Sequence, residues 1–272
     1  MMRILFIFAA ALLFIPPAAA QQGAASGMVQ VERGAVMEIL QPDLILLEND
    51  KRYRIDNLRV PPEYREQATA FLQKNLLGRN VGVYAPGAAP VNDRYGLPLV
   101  QMMGDDGLWV QGAMILNGLA WFDVSPASSS GKIVATLRGM EDAARHAGTG
   151  FWGNPTHAVK TPFNVGDYIN SFQVVEGKVL SATRANNYVY LNFGADYKTD
   201  FTVSVPAVIW RRFGNAGTAR TDLPSWSEKV VRVRGWVVEQ NGPMIELTDI
   251  DQIEFPGAAD VAAEQPAKGA QE

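Results

Sequence analysis

The chain has 272 residues, 47% of them apolar, and a formal charge of -4. That length holds one large or two small domains, and the negative balance leaves nucleic-acid binding to a local patch. The absence of cysteine excludes disulfides, thiolate metal sites and cysteine nucleophiles, and just two histidines, His146 and His157, argue against a histidine metal site or a Ser-His-Asp triad.

Residues 1–20 read as a secretory signal peptide. Arg3 supplies the positive start, Ile4 to Ile15 an apolar stretch too short to span a bilayer, and Ala18-Ala19-Ala20 the cleavage site. Cleavage near Ala20 places the mature chain in the periplasm or the medium, with no membrane span left. Residues 1–20 carry one charged group, Arg3, so the mature charge becomes -5. Residues 21–28 are small and polar and are expected to be disordered.

A first domain is expected over 29–154. Val29 to Leu40 reads as a strand with a bulge or bend at Gly34, and Leu44 to Leu47 as a buried strand. Asn49-Asp50 turns the chain, and Arg52 to Leu58 alternates as a returning strand. Pro61-Pro62-Glu63 opens a helix whose inner stripe is Ala68, Phe71, Leu72 and Leu76, stopped by Gly78. Val81 to Tyr84 is a strand, followed by a Pro/Gly/Ala loop over 85–90.

The stretch Asp93 to Phe122 organises this domain. Asp93-Arg94-Tyr95-Gly96 is a turn with Gly96 at positive φ, Leu97 to Met103 a buried strand, and Asp105-Asp106-Gly107 a tight turn. Val110, Met114, Ile115 and Leu119 fall at helical spacing, Gly118 is a left-handed stop, and an extended segment resumes to Phe122. A Ser/Pro/Gly loop over 125–131 leads to a helix from Ile133 to His146, stopped by Gly148. Phe151-Trp152 is an apolar anchor, and 155–164 reads as a linker.

A second domain is expected over 165–256. Phe172 to Val179, Tyr188 to Phe193, Phe201 to Val205, Val230 to Val238 and Met244 to Leu247 read as strands, with a helical segment around Val208 to Phe213. Asn241-Gly242 is a hairpin turn. Strand alternation puts Val231 and Val233 on one face and leaves Arg232 and Arg234 on the other, exposed. Short strands with one helix suggest a small closed barrel of the oligonucleotide/oligosaccharide-binding (OB) type. Residues 257–272 read as a disordered tail.

Asp93-Arg94-Tyr95-Gly96-Leu97-Pro98-Leu99, Asp106-Gly107, Val110 to Leu116, Gly118-Leu119-Ala120-Trp121, Ala143-Ala144-Arg145 and Gly148-Thr149-Gly150-Phe151-Trp152 occur in one order. In that order they resemble the thermonuclease, or staphylococcal nuclease-like, family. The resemblance implies an α+β fold, mainly β with helices: an OB-type five-stranded barrel of the thermonuclease kind. The later segments Tyr190 to Gly194, Asp200 to Val203, Val231 to Trp236 and Asn241 to Leu247 are similar to the second small OB-like barrel that follows such domains in some exported relatives.

Phosphodiester hydrolysis in that family uses carboxylates that hold Ca²⁺, a glutamate that activates water, and two arginines that clamp the phosphate. The resemblance carries the first metal carboxylate to Asp43 and one arginine to Arg54. It carries the second metal carboxylate to Arg59, the general base to Pro62 or, with one inserted residue, to Glu63, and the second arginine to Leu97. Leucine donates nothing to a phosphate, and a guanidinium at a metal-ligand position repels a dication by several kcal/mol, roughly 4 per pair of unit charges at ~4 Å.

These departures lead to an expected function: an exported thermonuclease-like protein with a degenerate active site, acting as a non-catalytic binding or interaction module. The alternatives are a calcium-dependent phosphodiesterase with a rearranged site of Asp43, Arg54 and Glu63, and a structural envelope protein. No cofactor is expected, and calcium only under the nuclease alternative. Partners are nucleic acid or an envelope protein. The nucleic-acid candidates are Arg211, Arg212, Arg232 and Arg234, set among Trp210, Phe213, Trp226 and Trp236, because cations interleaved with aromatics pair phosphates and stack bases.

Overall fold

The computed structural model describes residues 27–125, 131–215 and 222–256. The expected signal peptide, nearly all of the expected disordered segment 21–28, most of the 125–131 loop and the tail 257–272 lie outside the described residues. The chain forms two compact units, Met1–His157 and Ala158–Glu272.

The first unit runs β1 (Val29–Gln41), β2 (Leu44–Leu47), β3 (Arg52–Ile55), β4 (Leu58–Arg59), α1 (Arg65–Leu76), β5 (Asn80–Ala85), β6 (Leu99–Gly104), α2 (Val110–Leu116), β7 (Trp121–Phe122) and α3 (Gly131–His146). Five strands close a barrel in the order β1-β2-β3-β6-β5. One half of the long β1 pairs with β5 and the other with β2, so a single strand closes the ring. The bend expected at Gly34 is elsewhere. Gly34 pairs in register with Val81, and the irregularities fall at Gln30/Glu32, Val36/Glu38 and Ile39/Gln41. An extra residue in one strand bends and twists it, so the curvature follows those bulges.

Alternation fills the barrel. Val36, Ile45, Leu47, Ile55, Val81, Val83, Val100 and Met102 are buried against the helical stripe Ala68, Phe71, Leu72 and Leu76. Burying each large aliphatic or aromatic group contributes roughly 1.5–3 kcal/mol. The strand expected from Arg52 to Leu58 stops at Ile55. Asn57 takes a φ of 61°, which reverses the chain, and Leu58–Arg59 pairs with β7 instead of with the barrel. Asparagine tolerates that left-handed conformation.

The second unit runs β8 (Ser171–Lys178), β9 (Ser181–Ala185), β10 (Tyr188–Asn192), β11 (Thr202–Pro206), α4 (Ala207–Asn215), β12 (Val230–Glu239), β13 (Pro243–Glu246) and β14 (Ile253–Glu254). Its sheet order is β14-β12-β13-β11-β10-β9, with β8 also on β12. Among the described residues these ladders form an open path, where a closed barrel was expected. Asn241 and Gly242 both take positive φ, 52° and 84°, the backbone that a tight hairpin requires.

Residues 155–164, expected as a linker, hold the boundary between the two units, between His157 and Ala158, and carry ordered structure. Pro155–His157 is a turn of 3-10 helix with His157 buried. Beyond it the Lys160 N–H donates to Val174 O at 2.8 Å, and the Glu176 N–H donates to Lys160 O at 2.8 Å. Lys160 is buried, and that burial lowers its pKa. Its Nζ donates to Ala158 O and sits 4.3 Å from the Tyr168 ring centroid.

Candidate functional site

Asp43 leads into β2, Arg54 lies on β3, and Asp93 opens the turn before β6. Antiparallel pairing of Leu44 with Arg54 brings Asp43 beside the guanidinium. Parallel pairing of Arg54 with Leu99 brings in the turn. Arg54 Nη1 donates to Asp43 Oδ2 at 2.5 Å and Nε to Asp93 Oδ2 at 2.9 Å. Asp93 Oδ1 also accepts the N–H groups of Tyr95 and Leu97.

The charges of this trio reinforce each other. Partial burial opposes the Arg54 charge, but Asp43 and Asp93 outweigh it and hold the pKa above the ordinary value. Burial likewise opposes ionisation of Asp93. The N–H groups of Leu97 and Tyr95, together with Arg54, overcome it and lower the pKa. The guanidinium therefore spends two of its donors on neighbours within the chain.

Arg59 forms a separate pair, with its Nη2 at 2.6 Å from Asp123 Oδ2. Asp123 is tied to Asn57, whose Nδ2 donates to the Asp123 carbonyl at 3.0 Å. The chain of bonds continues inward: Gln101 Nε2 donates to Asn57 Oδ1, and Trp109 Nε1 donates to Gln101 Oε1. This buried line couples β6, α2 and the reversed turn at Asn57, and Arg59 caps its outer end.

Glu63 does not join Asp43 and Arg54. It is exposed, and its Oε1 lies 3.4 Å from His157 Nε2. His157 is held edge-on among Tyr64, Trp121 and Phe151, with ring centroids 5.4–5.7 Å away. Of the three residues expected to form a rearranged site, two meet and the third belongs to a different neighbourhood. Leu97 is half-buried beside Asp93.

A resident Ca²⁺ needs six to eight oxygen ligands. Here the Asp43 and Asp93 carboxylates converge on a guanidinium. Among the described residues, no group of three or more His, Cys, Asp or Glu side chains is placed to hold a metal. The donor set, two carboxylates already paired with Arg54, does not fit a resident calcium ion.

Sequence reasoning missed Asp93 as the second partner of Arg54. Its signal was present in the turn sequence, where an aspartate commonly accepts the N–H two residues on. Asp56, which follows Arg54 by two residues, takes no part in this cluster and is buried at 6% exposure. Burial raises its pKa to about 6, against hydrogen bonds from Ser125 and the Asn57 N–H. A folded pKa above the unfolded one means the native state holds this proton more tightly. Its contribution is present below about pH 4 and is lost as pH rises through about 6, on the order of 3 kcal/mol. Asp56→Asn should remove that loss. The variant's urea midpoint should gain on wild type between pH 4.5 and pH 7.5, and an unchanged difference would contradict the burial argument.

The second-unit candidates need correction. Arg232 and Arg234 are on the strand face opposite Val231 and Val233, as alternation requires, but they are 3% and 2% exposed. Arg232 Nη2 lies 2.6 Å from Glu176 Oε2, and Arg234 Nη2 lies 3.0 Å from Glu254 Oε1. Register explains the burial: Arg232 stands between Glu176 on β8 and Glu254 on β14. Buried, paired guanidiniums present no cation to a phosphate. Arg211 is exposed, and Arg212 pairs with Asp249 at 3.0 Å. Trp210, Phe213 and Trp226 pack on one another in the core, and only Trp236 is exposed.

Residues 48–154 match the family model described as Staphylococcal nuclease homologue. With the closed five-stranded barrel and its helices, this stretch is a staphylococcal nuclease-like domain. Such a domain points to a nuclease-related or nucleic-acid-binding function. The match starts five residues after Asp43 and ends before the second unit. Among curated proteins, none matches the chain. Among the described residues, no helix is long and apolar enough to cross a membrane.

Proposed function

We propose that this is an exported thermonuclease-like protein whose hydrolytic site is degenerate and whose barrel serves as a non-catalytic binding module. The observation that carries the reading is the occupation of Arg54 by Asp43 and Asp93. Arg59 paired to Asp123, Leu97 beside Asp93 and Glu63 beside His157 support it. Each position that the resemblance assigns to metal or phosphate either has a partner within the chain or carries a residue with no donor. Export rests on the signal-like residues 1–20.

The second reading, a calcium-dependent phosphodiesterase, is favoured by the family match and by the meeting of Asp43 with Arg54. One assay separates the two. The mature chain, with Ca²⁺ and an end-labelled single-stranded oligodeoxynucleotide, should give no more product than a chelated blank. Calcium-stimulated turnover that Glu63→Ala abolishes would establish the enzyme instead. The same oligonucleotide, followed by fluorescence anisotropy from 50 to 200 mM salt, reports whether nucleic acid is the partner. A phosphate-dependent complex weakens steeply over that range, whereas an envelope-protein partner leaves the oligonucleotide unbound.

A further inference from the structure

The sheet face of the second unit opposite its core carries a cavity of about 570 Å³. Val189 and Leu191 of β10 point into the core, so Tyr188, Tyr190 and Asn192 point the other way. Register extends this face across three strands. Tyr190 lies between Thr183 of β9 and Ser204 of β11, and Asn192 between Ser181 and Thr202. Met244 of β13 pairs with Thr202 and extends the floor. The Tyr188 and Tyr190 rings are stacked, with centroids 6.0 Å apart and 27° between planes. Tyr197, 61% exposed, forms part of the wall.

Two features of this face point to a ligand. The first is a pair of hydroxyls. Thr202 and Ser204 are 5% and 1% exposed, and their Oγ1 and Oγ atoms find no hydrogen-bond partner in the protein. Buried polar groups are ordinarily paired, so unpaired ones call for an explanation. Of the two, Thr202 lines the cavity.

The second feature is charge. The residues lining the cavity are all uncharged. The ionisable groups around it are mostly acidic. Glu246 is exposed in register with Ser204, and Asp196 and Asp200 sit with Lys198 on the wall loop. The Arg184 side chain points to the other face of β9, in register with Val189. A phosphodiester chain laid here would meet three carboxylates, Glu246, Asp196 and Asp200, against the one lysine, Lys198.

The geometry points to a binding site for a neutral oligosaccharide, of β-linked, gluco-configured pyranose units. Such a ring has an apolar C–H face to lie on Tyr190, and equatorial hydroxyls at its rim for Thr202, Thr183 and Asn192. A hydroxyl group both donates and accepts, which suits partners that do the same. Apolar rings with a few placed polar groups are the usual make-up of a small-molecule site. This site is independent of the degenerate-nuclease reading and stands or falls without it.

Calorimetric titration of the full mature chain with cellotetraose, and with the β-1,4 tetramer of N-acetylglucosamine, tests it. At least one should bind one-to-one with a Kd of roughly 0.01–1 mM, the weak range expected where little ligand surface is buried. Tyr190→Ala should weaken binding about tenfold and Thr202→Val about fivefold, with the melting temperature of Thr202→Val not lowered. If Tyr190→Ala does not fold, Thr202→Val alone decides. Three results would overturn the site: no binding of either tetramer at millimolar concentration, binding that neither variant alters, or salt-dependent binding of oligothymidylate that Thr202→Val abolishes.

Discussion

Arg232→Met is expected to destabilise the second unit by about 3–5 kcal/mol, because it strands buried carboxylates without their counter-charge. Glu176 accepts both Nε and Nη2 of Arg232, at 2.9 and 2.6 Å, and has a side chain only 11% exposed. Glu254 lies 3.9 Å away on the other flank and is shared with Arg234. The guanidinium thus holds three strands, β8, β12 and β14, by charge as well as by their ladders. Urea unfolding of the second unit measures the loss. Adding Glu176→Gln to Arg232→Met should restore part of it, since the stranded charge is then gone. Arg211→Ala, on an exposed helical arginine, should stay within about 0.5 kcal/mol. A loss below about 1 kcal/mol for Arg232→Met would mean a solvated guanidinium. It would return Arg232 to the list of candidate phosphate contacts.

Why the sequence misjudged Arg232 shows what was legible and what was not. Alternation gave the right face: Val231 and Val233 are in the core, and the arginines are opposite. It could not show that the opposite face carries two glutamates in register, one of them 56 residues earlier. Local features were legible wherever one element sufficed. The α1 stripe, the positive φ at Gly96 and Gly107, and the Asn241-Gly242 hairpin all follow from spacing and turn chemistry. Elements without an apolar pattern were missed. β9 is Ser-Ala-Thr-Arg-Ala on a sheet edge, and β14 is two residues long. The candidate site divides the same way. Asp43, Arg54 and Glu63 were visible as residues, but the Arg54–Asp93 pair spans 39 positions and depends on the parallel β3–β6 ladder. The buried line from Trp109 to Asn57 also needs that barrel to exist.

Gly118→Ala is expected to unfold the first unit or to cost about 4 kcal/mol or more, a range reserved for a few specific mechanisms. Two act together here. Gly118 has a φ of 57°, a conformation that costs an L side chain roughly 1–2 kcal/mol. A Cβ there would also stand 2.7 Å from the Thr149 carbonyl carbon and closer still to its oxygen. The facing residue is in the same position. Gly150 has a φ of 58°, and its Cβ would come within 2.7 Å of the Gly118 carbonyl carbon. The Phe151 N–H donates to Gly118 O at 2.9 Å, so the two backbones are joined as well as close. Spacing alone marked Gly118 as a helix stop, a role that asparagine could also fill; the contact with Gly150 removes that freedom. Through it the end of α2 fixes Phe151, which packs on Trp121 and Tyr64 and edges His157 beside Glu63. Gly139→Ala provides the control. That glycine lies inside α3 with nothing within 4 Å of its Cβ position, so alanine should stabilise by about 0.5–1 kcal/mol. Urea midpoints moving in opposite directions for these two glycines would establish that backbone contact, and not helix termination alone, dictates the residue at 118. A loss at Gly118→Ala no larger than the ~1 kcal/mol of an ordinary cap would refute it.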